Sequence, residues 1–157
     1  MGEIIIIAAV AANNIIGNKG KIPWHISDDF KRFKRLTLGH PVIMGRRTYE
    51  SLPLKPLPGR LNIVITGKSG FEGEEVTTVP SLKDAITQYT SREKLFLIGG
   101  EQVYREGLVF ATHLEITRLN AEYEGDTSFP EIDPDDWEQT GAEPHDGYSF
   151  ISYKRRG

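Results

Sequence analysis

The sequence contains no cysteine, and this absence excludes several kinds of chemistry at once. Without a thiol there is no disulfide, no cysteine nucleophile and no cysteine-ligated zinc. A reducing compartment fits this composition, and we expect a cytoplasmic location. The histidines His25, His40, His113 and His145 show no metal-ligand spacing, so we predict no metal site.

The sequence also lacks a net positive charge and any hydrophobic run of membrane-spanning length. The formal net charge of −3 provides no basic footprint, which argues against a nucleic-acid-binding protein. The apolar run over residues 4–12 is too short to span a membrane and has no basic segment before it, so we predict neither a membrane span nor a signal peptide. With 157 residues and 38% hydrophobic content, we expect one domain over residues 1–157 and a monomer.

Strand patterns alternate with helix patterns through about residue 110. Residues 4–10 are continuously apolar and rich in β-branched side chains, which is typical of a central strand buried on both faces. Further strands are predicted over residues 42–44, 62–66, 76–79, 95–98 and 113–120, with a last pair from Trp137. Helices are predicted over residues 27–38, 45–52, 82–89 and 101–109, with Ser81 as the N-cap of the third helix, and a turn is predicted over residues 67–70. The pattern predicts an α/β fold, with a central, mostly parallel, twisted sheet, an antiparallel C-terminal edge and about four flanking helices.

The helix predicted to begin at Ser27 carries a carboxylate beside aromatic side chains. Asp29 and Phe33 are four residues apart and therefore share a helix face, with Phe30 close by. Such a face could close over a flat, nitrogen-bearing ligand. In the alternative interpretation Ser27 is only an N-cap, while Asp28 and Asp29 face solvent and complement the helix dipole. The helix alone leaves both interpretations open.

Two strand–glycine–helix junctions indicate an anionic ligand. They are Met44-Gly45-Arg46-Arg47 and Ile98-Gly99-Gly100-Glu101. Glycine lets a phosphate approach the main chain, and the first N–H groups of a helix favour an anion. The sequence has neither a Walker lysine nor Gly-x-Gly-x-x-Gly, so P-loop or standard Rossmann binding is not expected.

Several cations could add to these sites. Arg46 and Arg47, with Thr66 and Lys68, could hold an additional phosphate such as that on the ribose of NADP; the alternative is a solvated surface pair. Arg60 follows a proline-rich loop and could bind a carboxylate with two parallel hydrogen bonds. An ordinary exposed arginine is the alternative, and spacing does not decide between them.

Short motifs follow one another along nearly the whole chain. They are Ile15-Ile16-Gly17, Pro23-Trp24, Asp29 with Phe33-Lys34, Pro41-Val42-Ile43-Met44-Gly45-Arg46, Thr48-Tyr49-Glu50-Ser51, Leu57-Pro58-Gly59-Arg60-Leu61-Asn62, Ile98-Gly99-Gly100 with Val103-Tyr104, and Glu124-Gly125-Asp126-Thr127 with Phe129-Pro130. In order and spacing they closely resemble the bacterial dihydrofolate reductase family.

The resemblance implies NADPH-dependent reduction of 7,8-dihydrofolate to 5,6,7,8-tetrahydrofolate, by hydride transfer to pterin C6 and protonation at N5, in one-carbon metabolism and nucleotide synthesis. It also implies binding of antifolate inhibitors. The implied catalytic residues are Asp29, which holds the pterin 2-amino group and N3, Thr117 beside it, and Trp24, which positions a water. The implied substrate-binding residues are Ile7, Asp29, Phe30, Phe33, Leu52, Leu57, Arg60 and Thr117, with Arg60 pairing with the glutamate α-carboxylate.

The resemblance assigns further positions to NADPH. They are Ala9, Ile16, Gly17, Gly45, Arg46, Arg47, Thr48, Thr66, Gly67, Ile98, Gly99, Gly100, Gln102, Val103, Tyr104 and Thr127. Residues 17–24 resemble the mobile lid of the family, and residues 125–127 resemble the loop that supports it.

Three residues depart from the family pattern. Gly67 stands where many relatives offer a side chain to the 2′-phosphate, Glu101 adds a negative charge beside the glycine pair, and His25 adds a titratable group to the lid. Two other functions are considered, a non-catalytic NADP- or pterin-binding module and a reductase for another pterin or pyrimidine. The combination of Asp29, Trp24 and Thr117 disfavours the first, and Arg60 disfavours the second.

Overall fold

The computed structural model describes residues 2–67 and 75–157. These residues form an eight-stranded sheet, a two-stranded sheet and flanking helices. The strands are β1 (Glu3–Val10), β2 (Ile15–Gly17), β3 (Pro41–Gly45), β4 (Leu61–Ile65), β5 (Val76–Val79), β6 (Lys94–Leu97), β7 (His113–Leu119), β8 (Thr127–Ser128), β9 (Trp137–Pro144) and β10 (Tyr148–Arg155). The helices are α1 (Ser27–Thr37), α2 (Arg46–Ser51), α3 (Leu82–Gln88) and α4 (Glu101–Phe110).

The large sheet has the strand order β5-β4-β3-β6-β1-β7-β10-β9. Its pairs are parallel from β5 through β7, whereas β10 is antiparallel to both β7 and β9. The predicted fold class is therefore confirmed. The carboxyl ends of β1, β3 and β6 lie side by side at one edge, which is where ligands bind on open α/β sheets.

Strand β1 is buried on both faces because helices cover the sheet on each side. Ile4 and Ile6 belong to a core cluster that contains residues of α3 and α4. Ile5 and Ile7 belong to a second cluster on the other face, which contains Tyr49 of α2 and is covered by side chains of α1. A strand with no solvent-facing side has no polar alternation, so the continuous apolar run of the sequence is explained.

The predicted caps have mixed outcomes. Ser27 is not the N-cap of α1: Ile26 has the extended cap conformation, with no side-chain cap bond, and Ser27 is the first helical residue. At α3, by contrast, the Ser81 hydroxyl accepts a 3.1 Å hydrogen bond from the backbone N–H of Asp84, as predicted. Other predicted boundaries agree with the observed elements to within one or two residues.

The ladder between β2 and β8 was not predicted, because these strands are too short to show a two-residue alternation. It pairs Ile15 with Ser128 and Gly17 with Thr127. The predicted turn over residues 67–70, including Lys68, lies largely outside the described residues. No helix in residues 2–67 or 75–157 is both long and apolar enough to cross a membrane.

Candidate active site

The first turn of α1 and the strand β7 bring a carboxyl and a hydroxyl together. The hydroxyl of Thr117 donates a 2.5 Å hydrogen bond to Oδ1 of Asp29. Thr117 is itself buried and lies beside Ala9 in the parallel register of β7 and β1. Asp29 is therefore directed toward the sheet, so the interpretation of it as a solvent-facing helix acid is wrong.

The surroundings of Asp29 oppose its ionisation. Burial raises the pKa of this carboxyl above its ordinary value, although the Thr117 hydrogen bond and the positive charge of Arg32 act in the opposite direction. A ligand that offers N–H donors or positive charge restores the stabilisation of the ionised carboxylate that burial removes. The site therefore favours a nitrogen-rich edge over an anion.

Apolar side chains line the second sheet face below this carboxyl. Phe33, Leu52 and Leu57 pack against the core cluster that contains Ile7. These are the apolar side chains that the resemblance assigned to substrate, apart from Phe30, and the fold brings them together. Phe30 is 50% exposed, with its ring 5.0 Å from that of His25, so its role remains a prediction.

A buried amide that the sequence analysis missed holds the rim of this wall. Asn62 accepts a hydrogen bond from Leu57 N–H at 2.9 Å and donates from Nδ2 to the carbonyls of Leu57 and Arg60, both at 2.9 Å. A side chain can restrain a loop in this way only when donor and acceptor both face it. The signal in the sequence was a polar residue inside an apolar strand pattern.

Arg60 lies at the same rim in a restrained position. Its Nε donates to the carbonyl of Pro58 at 2.9 Å and its Nη1 donates to the hydroxyl of Thr37 at 3.2 Å. The guanidinium carbon is 6.0 Å from the centre of the Phe33 ring. Partial burial lowers the pKa of Arg60, but an arginine remains charged near neutral pH. This position suits a ligand carboxylate beyond the aromatic ring.

The two glycine junctions adjoin one another. The N–H of Gly45 donates a 2.9 Å hydrogen bond to the carbonyl of Gly99. Gly99 has a φ of 130°, and a Cβ there would lie 3.3 Å from the hydroxyl of Tyr104. A Cβ on Gly100 would lie 3.4 Å from the hydroxyl of Thr48. The positive φ of Gly99 disfavours any other residue there, and the glycine pair adjoins the N-terminus of α4, where a diphosphate could bind.

Tyr104 ties this surface to the middle of the sheet. Its hydroxyl lies 2.9 Å from the carbonyl oxygens of both Ile7 and Ile98. Burial, followed by the nearby charge of Asp29, raises the pKa of Tyr104, so the phenol stays protonated. Tyr104 consequently connects the strands that carry the residues predicted to bind the cofactor and those predicted to bind the substrate.

The remaining predicted cofactor residues surround the glycine junctions at varied exposure. Arg46 forms an ion pair with Glu50 at 3.3 Å, and Arg47 is exposed. The N–H of Thr66 bonds to the carbonyl of Val79 at 2.9 Å, and Gly67 has open space around it. Val103 is buried in the core and Gln102 is exposed.

The loop resembling a lid is joined to residues 125–128. The N–H of Asp126 donates to the carbonyl of Gly17 at 3.1 Å, and its carboxylate accepts from the N–H of Lys19 at 3.1 Å. A Cβ on Gly125 would lie 2.4 Å from the carbonyl oxygen of Gly17. The ring of Trp24, at the end of this loop, lies 4.9 Å from that of Tyr123.

Glu101 is turned toward this support. Its carboxylate accepts from the N–H of Ser128 at 2.7 Å and from the Ser128 hydroxyl at 3.3 Å. Arg105 lies 3.6 Å from the same oxygen. Hydrogen bonds from Ser128 of β8 thus satisfy the negative charge next to the glycine pair.

The geometry defines an α/β protein whose candidate ligand-binding residues gather at the carboxyl edge of its sheet. The family model "Dihydrofolate reductase" matches residues 3–155. The dihydrofolate reductase of Neisseria gonorrhoeae is 44% identical over 159 residues, covering 98% of each chain. That of Bacillus subtilis is 39% identical over 161 residues, covering 98% of this chain and 95% of its own.

A solved structure extends the similarity to three dimensions. The Enterococcus faecalis dihydrofolate reductase, complexed with NADP(H) and RAB-propyl, has a TM-score of 0.90 and 31% identity, covering 99% of this chain and 98% of its own. The chain belongs to the dihydrofolate reductase family. The resemblance inferred from the motifs is therefore confirmed.

Proposed function

We propose that the protein reduces 7,8-dihydrofolate to 5,6,7,8-tetrahydrofolate with NADPH. The observation that carries this proposal is the hydrogen bond between Asp29 and Thr117, made by the same helix that contributes Phe33 to the apolar wall. The adjoining glycine junctions follow β3 and β6 at the carboxyl edge of the same sheet. This arrangement offers one carboxylate to a flat nitrogen heterocycle and backbone N–H groups to a phosphate. The same sites receive folate analogues that act as inhibitors.

Asp29 holds the pterin through its 2-amino group and N3. Because the carboxyl is buried, its charge is poorly solvated, and bonds to N–H donors of the pterin offset that cost. Thr117 fixes the carboxylate by its short hydrogen bond. Asp29 thereby orients the ring, and the apolar wall of Phe33, Leu52 and Leu57 grips it.

Arg60 binds the α-carboxylate of the glutamate tail. The guanidinium is restrained beside Phe33, so little side-chain freedom is lost when the carboxylate binds. The tail then extends from the ring that the apolar wall holds.

The residues of the cofactor side fit NADPH. Gly45, Gly99 and Gly100 accept its pyrophosphate against the main chain, and Arg46 and Arg47 provide positive charge for its 2′-phosphate. When bound, NADPH supplies the hydride. The remaining assigned positions, including Ala9, Ile16, Thr127 and Tyr104, shape the surface around it.

Proton delivery to N5 uses water rather than Asp29. Asp29 occupies the opposite side of the ring, so it provides orientation and a negative electrostatic environment. Trp24 positions that water when residues 17–24 move. Cleft closure by these residues excludes bulk water during the reaction.

The decisive assay follows the near-ultraviolet absorbance of NADPH after the protein and dihydrofolate are mixed. We expect the absorbance to fall, more slowly or not at all with NADH. Asp29→Asn is expected to lower the hydride-transfer rate by orders of magnitude while NADPH binding is retained. Folded wild-type protein that leaves the absorbance unchanged would refute the activity, and an Asn variant with normal turnover would refute the role of Asp29.

Residues 1–157 are further proposed to act as one domain, as a monomer in the cytoplasm. The absence of cysteine suits a reducing compartment. Light scattering coupled to size exclusion should give the mass of a single chain, and a dimer mass would contradict the monomer.

A further inference from the structure

A buried ion pair lies behind the proposed substrate carboxylate. Arg32 stands three residues after Asp29 on α1, so the two side chains leave the helix on the same side. Its side chain is only 11% exposed, which is rare for arginine unless the charge is paired. The Nη2 of Arg32 donates to Oε1 of Glu115 at 2.5 Å.

The pair is held from two further directions. The hydroxyl of Ser152, on β10, donates to the same oxygen of Glu115 at 2.7 Å. The guanidinium carbon of Arg32 lies 4.5 Å from the centre of the Phe150 ring, a cation–π distance. Arg32 therefore has little freedom to move toward or away from Asp29.

Arg32 and Glu115 lie on the same two elements, α1 and β7, as Asp29 and Thr117. Arg32 follows Asp29 on α1, and Glu115 precedes Thr117 by two residues on β7, so it projects to the same face of the strand. The ion pair and the catalytic pair thus bridge the same two elements side by side. The fold aligns them as one four-residue arrangement.

Stability alone does not account for this ion pair. Removing two charges from water costs about as much as their attraction returns, and apolar replacements of such pairs are often neutral or stabilising. What an apolar pair could not provide is an electric field at the neighbouring carboxyl. Arg32 contributes such a field, since its charge is one of the influences that lower the pKa of Asp29.

We propose that Arg32, held in place by Glu115 and Phe150, is a positioning residue that fixes the charge which Asp29 presents to the substrate. The proposal rests on the proposed function and deepens it. Arg32 favours the ionised form of Asp29, and Glu115 limits that effect by neutralising part of the arginine charge. The ion pair therefore adjusts the pH at which Asp29 titrates, in addition to the effects of burial and of Thr117.

Other charged or titratable groups also face Asp29. Asp28 adjoins it on α1, Glu115 lies on β7, Tyr104 comes from α4 and Tyr148 from β10. Tyr104 and Tyr148 both have pKa values raised by the charge of Asp29, among other causes, so they remain neutral through the range in which a carboxyl titrates. Asp28 accepts a hydrogen bond from Tyr148 at 2.8 Å. Arg32 is the cation of this set.

The test compares substitutions with opposite expected signs. Arg32→Met keeps an unbranched side chain against Phe150 but removes the positive charge, so the titration midpoint of Asp29 should move to higher pH. Glu115→Gln keeps an oxygen acceptor but removes the negative charge, so the midpoint should move to lower pH. Arg32→Lys should restore most of the wild-type value, and Arg35→Met, which removes an exposed charge from the same helix, should leave the midpoint unchanged.

Two measurements read the midpoint. Carbon-13 NMR of the Asp29 carboxyl in the ligand-free enzyme needs no substrate, so it tests the ion pair even if the reductase activity were absent. The inflection that Asp29 contributes to the pH profile of kcat/KM should move in the same directions. On its titrating side kcat/KM changes about tenfold for each pH unit of displacement.

A purely structural ion pair predicts a different pattern. Arg32→Met and Glu115→Gln would then both lower activity or thermal stability. The NMR midpoint of Asp29 would stay at the wild-type pH, or it would move in the same direction in both variants. Either result overturns the proposal. If Arg32→Met does not fold, the direction in which Glu115→Gln moves the Asp29 midpoint decides whether the proposal holds. Wild-type protein that fails to oxidise NADPH would count only against the proposed function.

Discussion

The hydroxyl of Thr117 and the carboxyl of Asp29 are joined by a 2.5 Å hydrogen bond across 88 residues of sequence. This bond lowers the pKa of Asp29 against the larger opposite effect of burial. Thr117→Val keeps the volume of the side chain but removes the donor. We expect kcat/KM for dihydrofolate to fall about tenfold, as for a hydrogen bond to a charged group, and the Asp29 midpoint to rise. Thr117→Ser should retain most activity, and equal losses in both variants would contradict the role of the hydroxyl.

Ionised Asp29 should cost the enzyme stability at neutral pH. Burial raises its pKa above the ordinary value of 3.8, so the folded protein binds this proton more tightly than the unfolded chain. The stabilising contribution of the proton is complete below the unfolded pKa and is lost as pH rises through the folded pKa. Each unit of increase corresponds to about 1.4 kcal/mol.

Asp29→Asn removes that titration. The variant should therefore be more stable than the wild type near pH 7, with a difference that shrinks as the pH falls through the folded pKa and vanishes below the unfolded pKa. Urea denaturation at several pH values measures it. A difference independent of pH would show that burial does not perturb this carboxyl, whatever the variant does to turnover.

Asn62 should matter to substrate binding without touching substrate. Asn62→Ala removes three hydrogen bonds that hold Leu57 and the Arg60 carbonyl. We expect a loss of about 2 to 4 kcal/mol in the free energy of unfolding. The KM for dihydrofolate should rise because the rim is no longer fixed. The affinity for NADPH, measured by fluorescence titration, is the internal control and should change little, since the loop is part of the substrate wall.

Arg60 should discriminate substrates by their tail. Arg60→Met loses a charged pair with the glutamate carboxylate, so the KM for dihydrofolate should rise about ten- to hundredfold. 7,8-Dihydropteroate lacks the glutamate and should be reduced equally well by the variant and the wild type. A similar loss with both substrates would mean that Arg60 supports the fold of the rim through Thr37 and Pro58 instead.

Gly125 should be required for the support of residues 17–24. In Gly125→Ala the new Cβ would meet both the Gly17 carbonyl oxygen and the Cγ2 of Ile15 at 2.4 Å, so the β2–β8 ladder must separate. We expect a slower hydride-transfer step in single-turnover kinetics, with folding preserved. Gly141→Ala is the matched control, because a Cβ there meets no atom within 4 Å. Equal hydride-transfer rates in the two variants would show that the β2–β8 ladder does not affect the chemical step.

The sequence predicted those features that depend on local patterns. The central strand followed from its apolar run and the α3 cap from Ser81, whereas anion binding at the two glycine junctions stays a prediction. Asp29 was ambiguous from its helix alone, because a first-turn carboxylate looks the same whether it faces water or a ligand. Only the combination of motifs favoured the ligand-facing interpretation over the solvent-facing one. The hydrogen bond from Thr117 then showed that the Asp29 carboxyl is directed toward the sheet.

The features that could not be predicted depend on distant residues meeting. Arg32 and Glu115 are 83 positions apart, and neither has a pattern that identifies the other. Asn62 looked like an interruption of a strand, since its three partners lie on a loop that folds back over it. Ile26 replaced Ser27 as the cap because the direction in which the chain enters α1 fixes the backbone conformation, and a favourable residue type does not.

The position of β1 in the sheet also constrains when the protein can fold during its synthesis. Both neighbours of this strand come late: Ile4 pairs with Leu95 of β6, and Ile5 pairs with His113 of β7. Strand β1 is thus synthesised before both of its partners, and neither of its edges is covered until β6 or β7 has been made. Such long-range pairing slows folding and exposes an apolar strand in the meantime. In a nascent chain of this enzyme β1 should accordingly lack one or both of its partner strands until β7 has emerged.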